Sequence, residues 1–214
     1  MTLQPERDAS GPPETKAASR RELRREQILE VAAECFAANS FTGCTLEEVA
    51  QRAGLSRMML YRYFASKDSI YLAVLDQVAM ALIVQLTNLE SPVSSDAVTR
   101  IHYAVADQYP AGYRLFWEQA RAEDTFRSHA AELVSRIHDV TAELLSRWVD
   151  LGTLRGWATT VATRYSVVAT LAYLDVRSDL DAGVVEEFSS HGLSGIVTAW
   201  AKLEFTRSHD LEHG

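Results

Sequence analysis

The chain has 214 residues, of which 47% are hydrophobic, 23% charged and 9% aromatic. That apolar share excludes a disordered chain, and the length suffices for one large core or for one large and one small. No uninterrupted apolar run approaches the ~18 residues of a membrane span; the best is Val167 to Leu174. Met1 to Pro13 is polar and has no apolar leader segment, so the expected compartment is the cytoplasm, with no membrane partner.

Charge is unevenly spread. The whole chain carries −8, yet Lys16 to Arg25 holds five basic residues against one acidic, and Thr45 to Lys67 holds four against two. A locally basic segment on an acidic body suits a docked reader of DNA better than a generally adhesive one. The two cysteines, Cys35 and Cys44, are too few for a disulfide scaffold and lack the spacing of a zinc site. They read as small semi-buried hydrophobes, with a redox sensor as the sharper alternative.

Residues 1–19 contain Pro5, Gly11, Pro12 and Pro13 without periodicity and are expected to form a flexible arm. From Arg20 the pattern is helical: Ile28, Val31, Ala32, Cys35 and Phe36 recur at three- and four-residue steps to an end near Asn39-Ser40. No two-residue alternation persists anywhere, so the predicted fold class is all-α. Thr45-Leu46-Glu47-Glu48 is a capping box that opens a short helix. Gly54 supplies a tight turn, Leu55 a buried wedge, and Ser56 caps a second short helix over Arg57 to Phe64. Two short helices on a three-residue turn make a helix-turn-helix.

Ser66-Lys67-Asp68 opens a long helix with Leu72, Leu75, Val78, Ala79, Leu82, Leu86 and Leu89 on one side. A helix around Ile101 to Tyr109 is broken at Pro110-Ala111-Gly112, and a short aromatic helix follows over Tyr113 to Ala122. Phe126 to Asp150 forms a long helix; two more follow, about Ala158 to Val176 and about Val184 to Phe205.

The helix after Ser56 presents Arg57, Met58, Tyr61 and Arg62 to solvent, with Tyr63 and Lys67 near its end. Cations for phosphates and phenolic donors on stiff stems are what a DNA backbone and its base edges require. Thr45 and Ser56 stand at helix N-termini that can face a phosphate. Arg20, Arg21, Arg24 and Arg25 stand where an N-terminal extension reaches a minor groove or a neighbouring phosphate.

Three segments, Ile28-x3-Ala32-Ala33-x2-Phe36, Thr45-x3-Val49-Ala50-x2-Ala53-Gly54-Leu55-Ser56 and Leu60-Tyr61-x-Tyr63-Phe64-x2-Lys67, together resemble the DNA-binding domain of the TetR family. These are one-component bacterial transcriptional regulators. The resemblance implies a recognition helix in the major groove. Tyr61, Tyr63 and Lys67 would grip phosphates, while Arg57, Met58 and Arg62 would read base edges, Arg57 through a fork to guanine. Met58, Met59 and Ser40 depart from the family's usual residues.

The same resemblance divides the chain into an arm (1–19), a helix-turn-helix domain (20–67), a ligand-binding and dimerisation domain (68–207) and a tail (208–214). It implies a homodimer built from the last two helices, with Val161, Tyr165, Val168, Ala169, Ala172, Leu193, Gly195, Val197 and Trp200 at the interface. Tyr103, Tyr113, Phe116, Trp117, Phe126 and Trp148 cluster on the middle helices, either as ordinary core or as the lining of a site for a hydrophobic or aromatic effector. The run Gly112 to Glu118 resembles members that sense fatty acyl thioesters.

The expected function is a ligand-responsive repressor that binds a palindromic operator as a dimer at the bacterial nucleoid. The alternatives are an activator or acyl-ligand sensor of the same fold, and a binding module without DNA. The six histidines lack metal-ligand spacing, and neither a phosphate loop nor a nucleophile–base motif occurs, so catalytic residues, metal and cofactor are expected to be absent.

Overall fold

The computed structural model describes residues 13–89, 97–146 and 155–176. Among the described residues every regular element is helical. The elements are α1 (Pro13–Gly43), α2 (Leu46–Arg52), α3 (Arg57–Tyr61), α4 (Lys67–Thr87), α5 (Ala97–Gln108), α6 (Pro110–Arg114), α7 (Asp124–Ser146) and α8 (Arg155–Val176). A π-helical turn, Leu115–Gln119, continues α6. The anticipated helix over Val184 to Phe205, the 208–214 tail and the first twelve residues lie outside the described residues.

Four boundaries differ from the sequence reading. α1 starts at Pro13, so residues 13–19 are helix and not arm. Proline pre-sets the first helical φ, and the Lys-Ala-Ala that follows favours helix. α3 ends at Tyr61, and a turn carries the chain to Phe64 through Tyr63 N–H to Leu60 O (2.9 Å) and Phe64 N–H to Leu60 O (3.1 Å). The break expected at Pro110 falls one residue earlier, at Tyr109 (φ −132°, ψ 61°), and Pro110 starts a new helix in place of a loop. That helix is α6, where the proline's missing N–H costs nothing. α1 breaks at Ser40 as expected, but the chain then makes one further helical turn to Gly43.

Ser40 has φ 60° and ψ 173°, a region that non-glycine residues scarcely occupy. The abrupt turn there brings Cys44 back beside Cys35. The two sulfurs are bonded to each other, and both residues are fully buried. The expected burial is thus present, but the thiols are not independent packing groups.

Gly54, at φ 65°, closes α2 with two reversed hydrogen bonds, Leu55 N–H to Ala50 O (2.8 Å) and Gly54 N–H to Gln51 O (3.0 Å). This is the Schellman ending that a left-handed glycine permits. α4 buries Ile70, Tyr71, Val74, Leu75, Val78, Ala79, Leu82 and Leu86 against α1, α5 and α7. It is long and apolar enough to cross a bilayer, but its apolar side is spent on protein.

Head and body share one core. Phe36 and Phe41 of α1 meet Tyr71 of α4 and Phe126 of α7. Tyr71 stacks on Phe126 at 4.2 Å between centroids, and Phe41 meets Phe126 edge-on at 4.8 Å. The Lys67 ammonium adds a polar lock, donating to Phe41 O (2.8 Å) and Cys44 O (3.1 Å) from above the Phe41 ring.

Two stability measurements probe this arrangement. Phe126→Ala empties the joint and is expected to cost about 3–5 kcal/mol in urea unfolding. Ser40→Gly relieves the backbone and is expected to stabilise by about 1 kcal/mol, raising the melting temperature by about 2–4 °C. A lower melting temperature for the glycine variant would contradict the Ser40 conformation.

Candidate nucleic-acid interface

The interface is built by two caps. Thr45 Oγ1 accepts from Glu48 N–H (3.1 Å), and Ser56 Oγ accepts from Met59 N–H (3.2 Å). The return half of the Thr45 capping box is not made: the Glu48 carboxylate turns instead to Arg52 (2.9 Å) and Asn39 (3.5 Å). A hydroxyl that accepts at a cap still carries a proton that it can donate.

With Leu60 and Phe64 buried, α3 offers its opposite side to solvent. Met58 is 80% exposed and Tyr61 45%. Arg57 is held in an exposed cluster: it pairs with Glu47, donates to Tyr61 Oη (3.1 Å) and lies over the Tyr61 ring at 5.6 Å. The Tyr61 hydroxyl and then the Glu47 carboxylate raise its pKa further, so it is always a cation. Glu47 therefore occupies the donor fork that a base edge would use.

Arg20, Arg21, Arg62, Met59 and Tyr63 line an open cleft of about 470 Å³ beside this face. Arg21 Nη2 reaches Arg62 O at 3.5 Å, which ties α1 to the end of the recognition segment. Three guanidiniums around one cleft favour an anionic occupant.

The structure separates the other basic residues from this group. Arg25 lies over the Phe64 ring at 5.0 Å and near Glu22. Arg24 caps α2 through Ala53 O at 2.8 Å. Lys67, which the resemblance assigns to a phosphate, is half-buried on the Phe41 and Cys44 carbonyls. Sequence reasoning had no signal for that inward turn, since a lysine at the foot of a helix looks the same either way.

In the body the six aromatic candidates do not form one cluster. Phe126 belongs to the joint with Tyr71 and Phe41. Tyr103 packs on Tyr173 at 4.9 Å. Trp148 lies outside the described residues. Tyr113, Phe116 and Trp117 do come together, around a residue the sequence reading did not select, His102. His102 Nδ1 meets Tyr113 Oη at 2.7 Å, and both side chains are buried. Among the described residues His102 Nε2, Trp117 Nε1 and Thr163 Oγ1 have no hydrogen-bond partner.

Burial, with a smaller push from His138, lowers the His102 pKa to about 3, and burial raises that of Tyr113. The neighbouring wall of α8 is polar: Thr163, Ser166 and Thr170 are buried, and Ser166 Oγ meets Thr99 Oγ1 of α5 at 3.0 Å. The outer side of α8 carries an apolar stripe, with Val161 and Tyr165 half-exposed, Val168 68% exposed and Ala172 exposed, flanked by the exposed Arg164 and Asp175. Ala169, assigned by resemblance to that outer side, is buried on the inner one. Leu193, Gly195, Val197 and Trp200 lie outside the described residues.

Residues 28–74 match the profile described as "Bacterial regulatory proteins, tetR family". Over that segment the chain is similar to the DNA-binding domain of the TetR family. The relatives found in comparison are named as transcriptional regulators. The HTH-type transcriptional regulator RutR of Escherichia coli O157:H7 is 31% identical over 137 residues, 61% of this chain and 64% of RutR, so the likeness spans just under two thirds of that relative. The HTH-type transcriptional activator FasR of Mycolicibacterium smegmatis is 34% identical over 110 residues, 46% of this chain and 47% of FasR. A transcriptional regulator from Aquifex aeolicus has the same fold, with a TM-score of 0.69 over 81% of this chain and 99% of that one at 18% identity.

The neutral His102 has a consequence for acid stability. Its folded pKa lies below the ordinary value near 6.5, so from pH 6 downwards the unfolded chain takes up a proton that the folded one refuses. Between pH 6 and pH 4 the body is expected to lose up to about 1.4 kcal/mol per pH unit on this account. His102→Gln should flatten that slope in urea titrations, and an unchanged slope would contradict the buried neutral imidazole.

Proposed function

We propose that the protein is a ligand-responsive transcriptional regulator, a repressor that binds a palindromic operator as a homodimer and leaves it when a small ligand enters the body. The observation that carries the reading is the single solvent face shared by Arg57, Met58, Tyr61 and Arg62 and its cleft with Arg20 and Arg21. Arg57, Met58 and Arg62 read base edges. Tyr61, Tyr63, the Thr45 and Ser56 hydroxyls and the arginines of the cleft take phosphates. Lys67, from inside the head, and Arg25, from over the Phe64 ring, set the recognition segment's position.

The second copy is supported by the exposed apolar stripe of α8. Its outer stripe of Val161, Tyr165, Val168 and Ala172 is apolar while its inner side carries threonines and serine. A face of that kind gains by meeting its own twin across a two-fold axis. Such a pair presents two recognition segments about 34–36 Å apart, one turn of DNA.

The effector site is read at His102, Tyr113 and Trp117. Unpartnered ring nitrogens among the aromatic rings of Tyr113, Phe116 and Trp117 fit a largely hydrophobic ligand that carries an uncharged hydrogen-bonding group. The path from there to DNA is short. α6 rests on α4 through Gly112, where an added Cβ would come 3.1 Å from Val78 Cγ2. α4 in turn begins at Lys67, whose ammonium holds the head's own carbonyls. A ligand that favours a tilted α4 changes the distance between the two heads and so lowers operator affinity.

Fluorescence anisotropy with a duplex from the region upstream of the protein's own gene tests the reading. Submicromolar binding at low salt that weakens steeply as salt rises is expected. Arg57→Ala should weaken binding at least about tenfold, whereas Glu47→Gln, which frees the Arg57 fork, should tighten it. Failure of the folded dimer to bind at low salt would overturn the regulatory reading. In cells, deletion of the gene should raise expression from that region; a fall would make the protein an activator.

A further inference from the structure

Cys35 and Cys44 stand at the meeting point of three elements. Cys35 lies in α1, the central helix of the head. Cys44 immediately precedes Thr45, the residue that caps α2, and its carbonyl accepts from Lys67, the first residue of α4. The sulfurs are bonded across a Cα–Cα distance of 5.7 Å, inside the range that a disulfide spans without moving the backbone. The chain has no other cysteine, so each thiol has one possible partner within the molecule. Ser40 lies inside the nine-residue separation, at φ 60°, and its conformation is what turns the chain back on itself.

We propose that Cys35 and Cys44 form a reversible redox site, closed by small hydroperoxides and opened by dithiol reductants, whose state sets the rigidity of the helix-turn-helix. In the closing reaction one thiolate attacks a peroxide oxygen, giving a sulfenic acid and expelling an alcohol or water. The second thiol then attacks the sulfenic sulfur, forms the S–S bond and releases water. Two thiols lose two electrons, and the hydroperoxide gains them. A dithiol reductant returns two electrons and two protons through a mixed disulfide.

Three features favour this chemistry. The ammonium of Lys67 sits on the Cys44 carbonyl at 3.1 Å, a fixed positive charge beside that residue that favours thiolate over thiol. Full burial of both sulfurs shuts out bulky oxidants and slows further oxidation, so a small peroxide admitted by opening of the 36–44 turn is the class that fits. Closure staples α1 to the entry of α2, and α2 carries α3 through the Gly54 turn. Glu48 stands with both sulfurs within a 4.8 Å group, which makes metal capture by the reduced form the competing outcome. Its carboxylate, however, already pairs with Arg52.

The test uses the full chain, reduced with dithiothreitol, freed of reductant and then treated with hydrogen peroxide. Mass spectrometry should show a loss of 2 Da with both cysteines closed to alkylation and no intermolecular product. The melting temperature of the oxidised form should exceed that of the reduced form by about 5 °C or more. Amide exchange in residues 44–64 should be slower when oxidised. The Cys35→Ala/Cys44→Ala variant should not respond to either reagent.

Thiols that stay alkylatable after peroxide, sulfinic acid in place of a disulfide, stoichiometric zinc held by the reduced chain, or equal melting of the two forms would each overturn the proposal. None of these readouts uses DNA, so the proposal is decided separately from the regulatory reading. Should the double variant fail to fold, the mass and melting of the unmodified chain in its two states decide it alone.

Discussion

The contact on which the rest of the molecule depends is the one between the head and α4. Two kinds of interaction meet there. Four aromatic rings, Phe36, Phe41, Tyr71 and Phe126, interlock at centroid distances of 4.2 to 5.9 Å. Beside them one ammonium, Lys67, satisfies two carbonyls of the turn that leads into α2. Gln119 of the π-helical turn adds a third tie by donating to Ala37 O at 3.1 Å. Rings packed edge to face resist sliding, because small displacements forfeit both area and quadrupole alignment. The head is tied to α4 through α1 and through the turn into α2, so in the proposed regulation a displacement of α4 would carry the head with it. The proposed regulation needs no further device than that.

The body is organised by where polarity is hidden. His102, Thr99, Thr163, Ser166 and Thr170 are buried between α5, α6 and α8, while valines and a tyrosine of α8 face outward. An exposed apolar stripe together with buried polar atoms costs free energy in a helix that simply completes a core. It becomes favourable when the outer face meets a second copy and the inner one meets a polar ligand atom. Both features of α8 thus point beyond the single chain, one to a twin and the other to an effector.

Much of the head was legible from residue order alone. Thr45, Gly54 and Ser56 announce two caps and a turn through chemistry that acts over three or four residues, and the structure places all three as read. The apolar steps of α1, α4 and α7 were equally plain, because helical periodicity is a local property. What could not be read depends on which distant groups meet. Lys67 turns inward because the Phe41 and Cys44 carbonyls lie within its reach, a fact created by the Ser40 turn. Phe126 joins the head's rings while Tyr113 and Trp117 gather around His102, although on the sequence they form one aromatic stretch. Arg57 finds Glu47, ten residues away, only because the Gly54 turn folds α3 against α2.

The central claim is that two such heads read one DNA duplex together. Hydroxyl-radical footprinting of the region upstream of the protein's own gene measures that most directly. The account predicts two protected patches of equal depth, related by symmetry and one helical turn apart, both lost when Arg57 and Tyr61 are replaced by alanine. Uniform cleavage along the whole fragment, with the protein folded and dimeric, would contradict it.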